Sequence, residues 1–295
     1  MTLKYKIIIV LYVIAISIQP FASGLDTRAN TDPDDFTPVH IQYSFIIKNS
    51  TNRLVENAQL WTYAPVKQTA IQKCLRIKSS FPYQLIIDDQ DNQILHFTFP
   101  HFAPFATKTI AIEADLLLSF KPDPITLKNL NPYVRAEKYC ESNNPKIIHF
   151  AQQFQSENVI RTAMNVFQWV SRNLQYAGYL KNVHGALYAL TSKTGDCTEY
   201  MYLFSALCRA NDIPTRCIGG YICTENTILT VDEYHNWAEF YGDGTWQISD
   251  PQKGVFMQHA SHYVAMRIIA ESPDNPMGNY NQFRFSGEGL KVKMN

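Results

Sequence analysis

From Val39 to about Phe120 the apolar and polar positions alternate with a period of two. Ile41, Tyr43, Phe45 and Ile47 fall on one side and Gln42 and Ser44 on the other. Leu85-Ile86-Ile87 and Ile94-Leu95-His96-Phe97 flank the turn-rich Asp88-Asp89-Gln90-Asp91-Asn92, and alternation resumes over residues 108–118. Half-buried strands show this periodicity, because successive side chains point to opposite faces of a sheet. Several short strands separated by polar turns predict an antiparallel β-sandwich domain over residues 39–120. No convergent catalytic residue types stand out there, so it reads as a packing or recognition module. The pattern then changes. Residues 121–145 carry Pro122, Pro124, Pro132 and Pro145 with few apolar repeats, which predicts a linker. Beyond it the period lengthens. Pro145 suits the first turn of a helix over 146–155. Ile160, Ala163, Phe167, Val170 and Leu174 step by three and four, the apolar stripe of a second helix, with Trp169 read as core.

Upstream of the alternation, Lys4 and Lys6 precede an apolar run from Ile7 to Ile18, followed by Pro20 and Ala22-Ser23-Gly24. A charged start, a short apolar stretch and small residues are the parts of a secretory signal, expected over 1–24. The run is too short for the roughly 20 residues of a membrane span. The chain is therefore expected to be exported, periplasmic or secreted, and to meet a membrane only through this segment if it stays uncleaved. Residues 25–38, with Asp26, Asp32, Asp34 and Asp35 alongside Pro33 and Pro38, read as a flexible leader. Charge sharpens the picture. The 26 basic and 26 acidic residues balance, so broad phosphate neutralisation, and with it nucleic-acid binding, is excluded as the main activity.

Candidate chemistry is concentrated between Gly185 and Pro251. In Thr194-Gly195-Asp196-Cys197-Thr198-Glu199, Asp196 and Glu199 have the spacing of a capping box. Tyr200, Leu203, Phe204, Leu207 and Cys208 then mark one buried helix face, with Asn211 as a left-handed C-terminal cap and Pro214 as a stop. Cys197 thus falls in the first turn, where unpaired N–H groups and the positive end of the helix dipole favour a thiolate nucleophile. Cys208, on the apolar face, is expected to be inert. Taken alone, Cys197 reads equally as a small buried hydrophobe or half of a disulfide.

Tyr234-His235-Asn236-Trp237-Ala238-Glu239-Phe240-Tyr241 and Thr245-Trp246-Gln247-Ile248-Ser249-Asp250 flank Gly242-Asp243-Gly244 and predict a hairpin. A turn at Gly242-Asp243 sets His235 opposite Asp250. A turn at Asp243-Gly244 sets Trp237 opposite Asp250 instead. His235 and Trp237 share a face, so either two-residue turn puts the imidazole and the carboxylate on one side of the sheet. A carboxylate beside a histidine fixes its tautomer and supports its cationic form, and such a histidine beside a thiol activates a nucleophile. Alone, His235 would be a satisfied sheet histidine and Asp250 a turn residue before Pro251.

Gly195-Asp196-Cys197, Ala206-Leu207-Cys208-Arg209-Ala210, Ile213-Pro214-Thr215-Arg216, Gly220-Tyr221, His235-Asn236-Trp237-Ala238-Glu239, Trp246 and Asp250-Pro251 together resemble the transglutaminase-like superfamily, over roughly residues 145–255. The resemblance implies an α+β fold with a papain-like core, a helix-borne Cys packed on an antiparallel sheet, here spanning 146–295. It makes Cys197 the nucleophile, His235 the general base and acid, and Asp250 the orienting carboxylate, with no cofactor. Asn236 stands where many relatives have a small residue, and Arg216 and Trp237 read as structural. Gln175 and Tyr176 are the candidates for an upstream oxyanion donor.

The implied chemistry is acyl transfer on protein or peptide amides through a thioester, with hydrolysis preferred because water is abundant at an open site. The alternatives are an amine-accepting, cross-linking transglutaminase, an inactive binding scaffold, and a zinc site built from Cys208, Cys217, Cys223 and His235. The six cysteines Cys74, Cys140, Cys197, Cys208, Cys217 and Cys223 also suggest disulfides in an exported protein.

Overall fold

The computed structural model describes residues 36–295. The signal segment 1–24 and the leader as far as residue 35 lie outside them. Phe36–Pro38, expected in the leader, already belong to the first strand, β1 (Phe36–Asn49). Its burial alternates as the sequence predicts, with Val39, Ile41, Tyr43, Phe45 and Ile47 all in the core. β2 (Val55–Ala64), β3 (Gln72–Ser79), β4 (Gln84–Ile87), β5 (Gln93–Phe102) and β6 (Thr107–Ser119) follow. β1, β6 and β3 form one antiparallel sheet and β2, β5 and β4 the other. Phe97 and Phe99 of the second sheet pack with Phe45 and Ile112 of the first in one core.

The connector is tied down along its length. Ile125 N–H donates to Gly244, the Tyr241 hydroxyl donates to the Ile125 carbonyl, and Tyr133 packs edge-on against Trp246 next to the short helix α1 (Asn131–Val134). Arg209 donates to the carbonyl of Arg135 and to Glu137, each at 2.8 Å.

The α+β core then begins. α2 (Pro145–Ala151) is capped by Asn144, whose side chain accepts from Lys146 N–H, and α3 (Val159–Asn173) buries the predicted stripe Ala163, Phe167 and Val170. β7 (Gln175–Tyr176), α4 (Ala186–Ser192) and β8 (Thr194–Gly195) lead to α5 (Cys197–Arg209). α5 is buried on every side from Glu199 to Arg209, not on one face as its apolar stripe predicts. The α2, α3 and α4 helices enclose its outer side and a sheet holds the inner one. Its left-handed terminator is Asp212, at φ 57°, in place of the expected Asn211. Asn211 instead donates to the carbonyls of Leu207 and Ala151, stitching α5 to α2.

That sheet contains β9 (Thr215–Ile222), β11 (His235–Gly242), β12 (Thr245–Asp250), β13 (Val255–Phe256) and β14 (Tyr263–Ile269), in the order β13-β12-β11-β9-β14, all antiparallel. β10 (Thr227–Ile228) leaves it to pair with β1. The last strands, β15 (Phe283–Ser286) and β16 (Leu290–Met294), return to the sandwich and pair with β2 and β1, so the chain's end builds the N-terminal layers and not the core sheet.

Two buried side-chain amides bind the sandwich to the β14 edge. Gln72 accepts from Ala265 N–H and donates to its carbonyl, and Asn92 does the same with Ile268. Each amide acts as one residue of a neighbouring strand and satisfies backbone groups that would otherwise be an open edge. Residues 33–295 accordingly form one compact unit. Among the described residues, no helix is long and apolar enough to cross a membrane.

Candidate active site

The capping box predicted before Cys197 forms. Asp196 accepts from Thr198 N–H at 2.8 Å and from Leu180 N–H at 3.0 Å, and Glu199 reaches back to Asp196 N–H at 3.2 Å. Glu199 also accepts from His184 N–H and is 0% exposed. Burial raises its pKa, with the Asp196 charge adding to the effect. The Gly195 position has no room for a side chain, since a Cβ there would lie 2.3 Å from the Glu199 Cβ. Gly195→Ala should therefore force this cap apart. The expected cost is on the order of 1–3 kcal/mol, as for other overpacked sites, read by urea denaturation. Unchanged stability would mean the cap relaxes freely.

The hairpin resolves in favour of the turn at Asp243-Gly244. Both residues have positive φ, 53° and 78°, the signature of a type I′ turn, for which Asp-Gly is among the preferred pairs. Gly242 pairs with Thr245 and Ala238 with Ser249, a register that continues to Trp237 opposite Asp250. His235 lies on the Trp237 face, and its Nε2 is 2.6 Å from Asp250 Oδ2. The same Asp250 oxygen accepts from the Tyr263 hydroxyl at 3.0 Å, and Oδ1 accepts from Lys253 N–H at 3.1 Å. Burial, and then the Asp250 charge, push the Tyr263 hydroxyl up, so it stays a donor. Trp237, buried, stacks beside the His235 ring and meets Tyr263 edge-on, which walls the couple off from solvent.

Cys197 is half-buried, and the start of its helix is tied to the start of β11 by Asn236, which donates to the Thr198 hydroxyl at 2.9 Å. With Nε2 held by Asp250, the nitrogen left for the sulfur is Nδ1. Burial opposes the imidazolium, but the hydrogen bond to Asp250 and the nearby Asp250 and Cys197 groups outweigh it and raise the His235 pKa to about 9. The structure thus gathers Cys197, His235 and Asp250 at one place, where α5 begins, β11 begins and β12 ends. Of the two upstream candidates, Tyr176 is the one near the sulfur: it lies opposite Gly195 in the β7–β8 pairing, and its hydroxyl is pushed up by burial and by the Cys197 and Asp196 charges. Gln175 is exposed one residue earlier.

All six cysteines are free, which corrects the expected disulfides. Burial raises the thiol pKa to about 11 for Cys217 and about 12 for Cys223, and well above the ordinary value for Cys140 and Cys208. Cys208 and Cys217 sit in the core around α5 and Cys223 in the sandwich core, so the four groups of the zinc alternative do not converge. Arg216 is structural as expected, pairing with Glu239 at 2.6 Å across β9–β11 and stacking on Trp246. Tyr263 carried no signal in the sequence beyond an apolar strand position. Its role follows from β14 joining the sheet at β9, far from Asp250 in the chain.

A cysteine-bearing helix end set against a His/Asp hairpin on an antiparallel sheet defines a papain-like core. Residues 148–251 match the model of the Transglutaminase-like superfamily. Among solved structures, the chain is similar to a putative cysteine protease from Cytophaga hutchinsonii, at 17% identity over 88% of this chain and 92% of that one, with a TM-score of 0.61. That likeness extends through the sandwich and shows a shared architecture. The periplasmic domain of TgpA from Pseudomonas aeruginosa, bound to ethylmercury, also matches, at 13% identity over 72% of this chain and 90% of that one, with a TM-score of 0.39. No curated protein matches the sequence.

Proposed function

We propose that this protein is a cysteine-dependent amide hydrolase acting on protein or peptide substrates through Cys197, His235 and Asp250. The observation that carries the reading is the His235 imidazole held by Asp250 at 2.6 Å, on a strand whose start is bonded, Asn236 to Thr198 at 2.9 Å, to the helix start that bears Cys197. The sulfur, its proton held by His235, attacks the amide carbonyl. The oxyanion is met by the Cys197 N–H, free at the helix start, and by the neutral Tyr176 hydroxyl. His235 then gives its proton to the leaving nitrogen, the C–N bond breaks, and a thioester remains. Water attacks the thioester, His235 takes the water's proton, and the acid leaves as the thiol re-forms. Hydrolysis is favoured over transfer to an amine because the upstream side is open: Tyr176 is 54% and Tyr179 85% exposed, so water reaches the thioester freely.

Iodoacetamide at mildly acidic pH tests the activated sulfur. Cys197 should label well ahead of the four buried thiols and of Cys74, whose pKa is raised by burial to about 11. Peptide mass mapping reads the order. Uniform, slow labelling of all six would indicate a binding scaffold instead.

A further inference from the structure

Beside the first two turns of α5 lies a cavity of about 830 Å³, walled by Thr198 and Asn236, the residues that follow Cys197 and His235, and by Tyr202, Arg267 and Asn281. Two polar side chains in its wall are more than nine-tenths buried and incompletely bonded. Arg267 is 7% exposed, and its Nε has no partner. Asn236 is 5% exposed and uses one end of its amide on the Thr198 hydroxyl, at 2.9 Å, while the other end is unpaired. Thr198 can donate as well as accept, so either end of that amide can face the cavity. A third orphan, the Tyr234 hydroxyl, lies behind Asn236 and lines a separate, smaller cavity. It occupies the space above Gly219, 1.9 Å from where a Cβ would stand, and Asn236 Oδ1 lies 3.0 Å from the same point. Arg267 is the register partner of Gly219 on β14.

The charge on Arg267 is equally unmatched. The other buried arginines each hold a carboxylate, Arg209 with Glu137 at 2.8 Å and Arg216 with Glu239 at 2.6 Å. Among the described residues no carboxylate pairs with Arg267, whose NH1 meets only the Tyr280 carbonyl and the Asn281 amide oxygen while its plane lies over Tyr63. The acidic groups in the cavity wall are already used: Glu137 binds Arg209, and Glu271 accepts from Lys138 N–H. A buried guanidinium without a counterion is costly unless something anionic completes it.

We infer that the cavity is a substrate subsite which receives a carboxylate of the peptide, an acidic side chain close to the scissile amide, on Arg267 and Asn236. The inference rests on the amide-hydrolase reading of Cys197, because it makes the bound peptide the acyl substrate. It deepens that reading by giving the enzyme a preference for acidic peptides.

Binding without turnover separates the two. In full-length Cys197→Ala, fluorescence anisotropy is measured with two fluorescein-labelled alanine heptapeptides, one with a central glutamate and one with a central glutamine. The glutamate peptide should bind about tenfold or more tightly, the scale of a charge-assisted hydrogen bond, and added salt should weaken it selectively. Arg267→Met should abolish the difference, and Arg267→Lys should restore part of it. Equal binding of the two peptides, no binding of either, or a preference that survives Arg267→Met in a protein with an unchanged melting profile overturns the subsite. If the subsite fails while Cys197 still labels selectively and turnover needs it, the hydrolase reading stands alone. If selective labelling and turnover fail while the glutamate preference holds, the cavity is a carboxylate site on a scaffold.

Discussion

Cys197→Ala is expected to remove amide turnover altogether while leaving the folded state in place. In thiol and serine hydrolases the nucleophile and its base act as one unit, and deleting either costs on the order of 10⁶ in kcat. The donors proposed for the oxyanion survive the substitution, because the backbone N–H at 197 and the Tyr176 hydroxyl are untouched. The residual rate therefore measures what polarising the carbonyl achieves without a covalent step. The fold has little reason to change. The helix is capped by Asp196 and Glu199, not by the thiol, and Cys197 is partly exposed where α5 from Glu199 onward is buried. A stability change under about 1 kcal/mol is expected, as for a substitution that opens no core cavity. The measurement is hydrolysis of fluorescein-labelled casein alongside a thermal melt of both proteins. A variant that keeps even a tenth of the parent rate would remove Cys197 from the chemistry.

The parts of this site that are readable in the sequence are those governed by local rules. The Asp196–Glu199 spacing specifies a cap, and period-two parity alone places His235 and Asp250 on one face under either two-residue turn. The choice of turn also follows from residue chemistry, since both central positions need positive φ and Asp243-Gly244 supplies the glycine where Gly242-Asp243 would leave an aspartate second. What escapes local reading is long-range pairing. Tyr263 reaches Asp250 only because β14 joins the sheet on the far side of β9. β15 and β16 pair with strands more than 200 residues earlier, a connection that no local periodicity encodes. Asn92 reads as a polar turn residue and Gln72 carries no sequence signal, yet each substitutes for a strand residue at a sheet edge. The cysteines mislead for a different reason: an even count constrains pairing only when the thiols meet, and here they are spread over two cores.

These long-range contacts meet on one strand. β14 carries Tyr263, which holds Asp250, and Arg267, which faces the cavity, and between and beside them Ala265 and Ile268 are clamped by Gln72 and Asn92 from the sandwich. The N-terminal layers therefore do more than pack. They fix the strand that orients the carboxylate of the Cys–His–Asp group.

Asp250→Asn separates orientation from charge. An amide at this place can donate its N–H to His235 Nε2, which turns the ring to the other tautomer and leaves Nδ1–H facing the sulfur. The ring then cannot take the thiol proton, and a fall in kcat on the order of 10⁴ is expected, the scale seen when a triad carboxylate is made an amide. A second readout follows from the His235 pKa, which lies near 9 in the folded chain against an ordinary 6.5. A raised pKa means that the folded state binds this proton more tightly than the unfolded one. The associated stability is present in full below pH 6.5 and is lost as the pH rises through about 9. Asp250 supplies the first of the interactions that raise it, so Asp250→Asn should be less stable than the parent by on the order of 2 kcal/mol below pH 6.5. The gap should narrow as the pH passes 9, and the ring's NMR titration midpoint should fall toward 6.5. Urea denaturation at either end of this window tests the linkage. A gap of constant size across it, together with an unmoved midpoint, would show that Asp250 holds His235 by shape and not by charge.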